Sequence, residues 1–124
     1  MKTAIVLFNL GGPDNPGSIK SFLFNLFNDP LIIRLPGLLR TPLAWLIANR
    51  RNKKAQSIYN EIGGKSPILE ITRSQARALG RALEAAGVDS QVFVSMRYWH
   101  PMTSEAVKQV QEYNPDQVFL LPLY

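Results

Sequence analysis

Three short apolar runs punctuate the 124-residue chain, and between them apolar positions recur at three- and four-residue spacing. Residues 3–10, 91–96 and 117–124 are continuous and partly β-branched, the pattern of strands buried on both faces, as in a parallel sheet. Ser18 predicts the start of a short helix to about Asn28, with Ile19, Phe22, Leu23 and Leu26 on one face. A second helix is expected from about Pro42 to Ile62. A third is expected from about Pro67 to Ala86, with Ala76, Leu79, Leu83 and Ala86 inward and Gly87 as its stop. Thr103 predicts the cap of a fourth helix to about Tyr113, in which Ala106, Val107 and Val110 face inward. The order β, helices, β, α, β gives an α/β fold, a parallel sheet with flanking helices joined by right-handed crossovers. The third strand runs to Tyr124, which would leave one sheet face poorly covered, so the expectation is a piece of a longer protein.

Residues 30–49 fit neither period. Pro30, Pro36 and Pro42 with Arg34 and Arg40 break the run, which excludes a transmembrane helix, yet Leu31, Ile32, Ile33, Leu35, Leu38, Leu39, Trp45 and Leu46 are too many for a routine loop. Two readings stand: a lid packed on the core, which composition favours, or an apolar lip that meets membrane or an apolar ligand.

Tyr59 to Pro67, Tyr-Asn-Glu-Ile-Gly-Gly-Lys-Ser-Pro, marks where the second helix stops and the third begins. One glycine at C′ suffices to end a helix, so Gly64 is surplus unless the backbone closely approaches something. Ser66 as N-cap and Pro67 as the first helical residue would direct free N–H groups and the positive helix end at an anion. Arg50, Arg51, Lys53 and Lys54 add four positive charges just upstream, and Tyr59 adds a hydroxyl on a flat ring. The set suits a flat ligand with carboxylates at its edge. The bland alternative is a helical hairpin with a solvated basic face.

Composition narrows the chemistry. The chain has no cysteine, so it holds no disulfide, thiolate metal site or cysteine nucleophile. A net charge of +5 admits nucleic acid, but no basic strand interleaved with aromatics and no zinc-finger spacing supports it. The first run is too short to span a membrane and lacks a cleavage site, so a cytoplasmic protein is expected. Asn9-Leu10-Gly11-Gly12-Pro13 lies at the carboxyl end of the first strand, where α/β sheets bind ligands, but Pro13 and the missing G-x-G-x-x-G pattern speak against a nucleotide. The second strand ends in Arg97-Tyr98-Trp99-His100-Pro101. His100, the sole histidine, excludes a two-histidine metal site; the three rings read as a cleft wall with satisfied polar tips rather than as catalysts. Arg97 is placed to hold a carboxylate, the alternative being an ion pair with Glu61 or Glu105. No carboxylates pair at a spacing suited to shared proton work.

These motifs together resemble the ferrochelatase family, which inserts ferrous iron into a porphyrin. The match rests on Asn9 to Pro13, on Tyr59 to Pro67, on Met96 to Pro101 and on Leu121-Pro122-Leu123-Tyr124, in the family's order. It covers the whole chain and about the first third of a family member. The resemblance implies a chelatase fold of two Rossmann-like lobes, with residues 1–124 as most of the first and 30–49 as an apolar lip at the cleft mouth that raises the expectation of membrane contact. It also implies that Leu10 lies near the macrocycle, Arg51 and Tyr59 at its edge, Ser66 on a propionate, and Arg97 and Tyr98 along the inner cleft. By the same resemblance the catalytic histidine and glutamate lie beyond Tyr124, and His100 is neither. Cysteines for the iron–sulfur cluster of some members would mostly lie there too. A cobalt or nickel chelatase for another tetrapyrrole and a non-catalytic porphyrin- or haem-binding module are the alternatives.

Overall fold

The computed structural model describes all residues, 1–124, and divides the chain into two compact units, Met1–Gly11 with Ile68–Tyr124, and Gly12–Pro67.

The first unit is built on a three-stranded parallel sheet ordered β2-β1-β3: β1 (Thr3–Asn9), β2 (Ser90–Met96) and β3 (Gln117–Pro122). Thr3 stands opposite both Ser90 and Gln117, and Asn9 opposite Met96. The two-residue period of β1 explains its uniformly apolar sequence. Ala4 and Val6 pack with Phe93, Val110 and Tyr113 on the side of α4 (Thr103–Tyr113). Ile5 and Leu7 pack with Ala76, Leu79 and Leu83 of α3 (Ile68–Ala85) on the other. The expected parallel α/β sheet is therefore what forms.

Several local expectations shift. β1 ends at Asn9, one residue early, because Leu10 leaves the ladder for the turn at Gly11, whose φ is +87°. Helix α4 begins at Thr103, so Met102 and not the expected Thr103 is its cap residue; Glu105 reaches back so that its Oε2 accepts the Met102 N–H at 2.6 Å. Val107 is exposed, and so is Ala86, which lies past the end of α3. β3 is not a buried strand: Val118, Phe119, Leu120 and Leu121 are all exposed, Leu120 at 68 %.

The second unit is a helical pair, α1 (Ile19–Phe27) and α2 (Gly37–Asn60), preceded by a 3₁₀ turn at Pro16–Ser18. Its core is Ile19, Phe22, Leu23, Ala44 and Ala48. Ser18 holds the N-cap position of α1 as expected, but its side chain makes no capping bond; its hydroxyl accepts the N–H of Asp14 and Asn15 and closes the 3₁₀ turn instead. Helix α2 begins at Gly37, earlier than the expected Pro42. Pro36 is its cap residue, and Pro42 sits in the second turn, where its missing N–H forfeits one hydrogen bond without ending the helix. Arg40 holds the entry to α2, its Nε donating to the Asn28 carbonyl at 2.8 Å and Nη1 to the Leu35 carbonyl at 2.7 Å. Most large apolar residues of 31–46 stay outside: Leu31, Ile32, Leu35, Leu38, Leu39, Trp45 and Leu46 are exposed, Leu38 at 89 %. The packed lid is thereby overturned in favour of an exposed apolar lip, half of it helical.

Candidate functional site

In the sheet unit the candidate residues gather at the carboxyl end of β1 and β2. After β1, Leu10 is 40 % exposed; its N–H donates to Asn9 Oδ1 at 2.9 Å. Two backbone bonds extend the β1–β2 pairing into the loops: Arg97 N–H to the Asn9 carbonyl at 3.0 Å and Tyr98 N–H to the Leu10 carbonyl at 2.9 Å. Gly11 makes this closeness possible, since a Cβ there would lie 3.1 Å from Met96 Cβ and 3.2 Å from the Trp99 nitrogen. Leu10, Arg97 and Tyr98 are thus brought together as expected.

Their exposure differs. Arg97 is exposed, whereas Tyr98 is buried and its hydroxyl accepts from Arg97 Nε at 3.2 Å. The rings after Tyr98 are less uniform than a wall with all tips satisfied. His100 Nδ1 meets Glu105 Oε2 at 2.6 Å, but the Trp99 indole N–H is buried with no acceptor in the chain. Glu105 therefore pairs with His100, not with Arg97 as one alternative had it. The Met102 N–H first, and then the His100 bond, hold the Glu105 carboxyl below its usual range.

In the helical unit, Arg51 and Tyr59 lie eight residues apart on one face of α2, roughly 12 Å along its axis. The Arg51 guanidinium lies 5.4 Å from the centre of the Phe27 ring. Tyr59 is half-buried, and burial raises its hydroxyl pKa above the ordinary 10.0, so it is a neutral donor at physiological pH. Helix α2 ends with the Gly64 N–H on the Tyr59 carbonyl at 2.8 Å, and Gly63 and Gly64 take φ of +90° and +82°. The apparently surplus glycine has a protein explanation. A Cβ at Gly64 would come within 3.1 Å of Pro16 Cγ, while nothing lies within 4 Å of one at Gly63. Ser66 donates its N–H to the Pro13 carbonyl at 2.8 Å, joining the two ends of the helical unit. Helix α3 starts at Ile68, one residue beyond Pro67.

One apolar groove was not foreseen. About 360 Å³ in volume, it runs between α4 and the bare face of β3, past Val6, Phe8, Val107, Val110 and Leu120, with Arg97 among its lining residues. The signal for it was present in β3, whose apolar residues alternate onto both faces. No group of three or more His, Asp or Glu side chains converges anywhere in the chain.

The sequence model described as Ferrochelatase matches residues 2–124. A ferrochelatase of Caulobacter vibrioides is 56 % identical over 125 residues, which cover 99 % of this chain and 36 % of that protein. One from Pelagibacter ubique is 51 % identical, covering 100 % of this chain and 37 % of that protein, and one from Thermosynechococcus vestitus is 48 % identical, covering 99 % and 32 %. The chain spans about a third of the length of these curated relatives.

Proposed function

The chain belongs to the ferrochelatase family, and from that premise we propose that the protein inserts ferrous iron into a porphyrin, protoporphyrin IX or coproporphyrin III, in haem biosynthesis. The observation that carries the reading is the family match along residues 2–124. The geometry fits a flat, apolar dianion in each unit taken alone. In the sheet unit, exposed Leu10 offers an apolar contact for a macrocycle face, and Arg97, braced by Tyr98, offers a cation. In the helical unit, Arg51 and Tyr59 share a helix face and serve the porphyrin edge, and Ser66 serves a propionate.

Metallation also needs a base for two pyrrole protons and a path for iron, which is substrate here. We assign the catalytic histidine and glutamate to residues beyond Tyr124 and regard residues 1–124 as most of the first of two lobes, inactive alone. The exposed lip at 31–46, which contains Arg34, has Lys20 over its Trp45 ring and is followed by Arg50 and Arg51, supports peripheral membrane contact by a cytoplasmic protein. No helix is long and apolar enough to cross a membrane.

The test is anaerobic iron insertion by the full-length protein, followed by loss of free-porphyrin fluorescence with each porphyrin. Turnover with one names the substrate. Binding without turnover marks a carrier or a chelatase for another tetrapyrrole, and no binding overturns the reading. Tyr59→Ala and Ser66→Ala should each weaken porphyrin affinity with the fold intact. For the lip, Leu38→Glu with Trp45→Glu should lower binding to anionic vesicles by ~10-fold; unchanged binding removes the membrane role.

A further inference from the structure

The stretch from Arg97 to Met102 is a loop whose two ends are fixed differently. At its start, Arg97 and Tyr98 hang on the carbonyls of Asn9 and Leu10, and Met96 N–H closes the loop onto the Pro101 carbonyl at 2.7 Å. Its far end enters α4, which is fixed by buried Ala106 and by Val110 in the core. One carboxylate oxygen joins the loop to that helix. Glu105 Oε2 takes both the Met102 N–H and the His100 ring nitrogen, each at 2.6 Å. An ionised carboxylate only accepts, so His100 carries a proton on Nδ1. The ring also meets Trp99 edge-on, with centroids 5.1 Å apart.

A capping box needs only the Met102 bond. The bond to His100 adds nothing to the helix end, and both side chains are about half exposed, where such a pair contributes little to stability. Its geometric consequence is larger. It ties the middle of the loop to a rigid element and so restricts where exposed Arg97, at the loop's other end, is held.

We propose that His100 and Glu105 form a latch, making them positioning residues that set where the Arg97 guanidinium is offered to an anionic group of the substrate. The substrate side of this inference rests on the porphyrin reading above; the latch itself rests on the loop geometry.

His100→Ala separates latch from cap, because it removes the ring and keeps the Met102 bond to Glu105. In the full-length protein it should speed amide hydrogen exchange at Arg97 and Tyr98 by ~10-fold or more while leaving Tm almost unchanged. It should raise the KM for porphyrin ~3- to 10-fold with little change in kcat. His100→Gln, which keeps an N–H donor toward Glu105, should recover part of both effects. In an Arg97→Ala background, His100→Ala should add nothing to KM. Unchanged exchange at both amides in His100→Ala overturns the latch. Independent, multiplying effects of the two substitutions on KM overturn its action through Arg97. If Arg97→Ala leaves KM unaltered while His100→Ala still frees the amides, the latch stands and the porphyrin reading of this loop fails.

Discussion

Strands β1 and β3 lie side by side, pair residue for residue, and are both apolar on two faces, yet their surroundings are opposite. Every residue of β1 from Thr3 to Leu7 is buried, because α3 covers one face and α4 the other. β3 has neither cover along most of its length. The 360 Å³ groove opens on its α4 side, and a second groove of about 320 Å³, lined by Leu79, Leu83, Phe119 and Leu121, opens on the α3 side. An apolar run therefore encodes a demand for cover, at ~1.5–3 kcal/mol for each large side chain, without naming what meets it. The lip teaches the same lesson with different edges: it too is largely apolar and exposed, but Arg34 and Arg40 lie within it and Arg50 and Arg51 follow, while the residues of β3 from Val118 to Pro122 carry no charge.

The largest expected effect tests that contrast directly. Leu7→Ala, at a position 2 % exposed between Ile5 and α3, should cost ~2–5 kcal/mol in urea unfolding of the chain, whereas Leu120→Ala should cost less than ~0.5 kcal/mol. Equal costs would mean that β3 is covered in solution, and the contrast would break.

Covered and uncovered positions also separate the glycines. Gly11→Ala combines the left-handed φ with collisions against Met96 and Trp99 and should cost ~2–3 kcal/mol, with loosening of the Arg97 loop. Gly63→Ala has the same φ but open space, so only the conformational cost of ~1–2 kcal/mol should remain. A reversed order would show that the strand-end turn relaxes more easily than its packing indicates.

The smallest effect concerns the start of α4, the cover of β1. Because the folded state lowers the Glu105 pKa, the carboxylate's contribution is present above its ordinary 4.5 and is lost as pH falls through the depressed value. The Tm difference between the protein and Glu105→Gln should accordingly be present at neutral pH and vanish in acid. A difference that persists in acid would assign it to shape rather than charge.

Much of this was legible from residue order. Strand periods, the α3 face at Ala76, Leu79 and Leu83, and the convergence of Leu10, Arg97 and Tyr98 at the carboxyl edge follow from local pattern plus the rule that parallel strands align their ends. Local pattern ran out where a residue had two available partners. The Ser18 hydroxyl serves the 3₁₀ turn rather than the helix end at which it sits, Glu105 Oε2 accepts from both Met102 and His100, and Gly64 meets Pro16 where an external ligand was the other explanation.

By itself the sequence determined the α/β class, the parallel order of elements and the motifs that place the chain in its family, because these depend on periodicity and spacing along the chain. Only the tertiary structure decided that the 31–46 lip is bare, that Tyr98 is buried beneath Arg97, and that one oxygen of Glu105 joins a loop to a helix. Burial and partner choice depend on what long-range folding brings within a few ångströms, and residues far apart in sequence compete for those places on terms that no local pattern records.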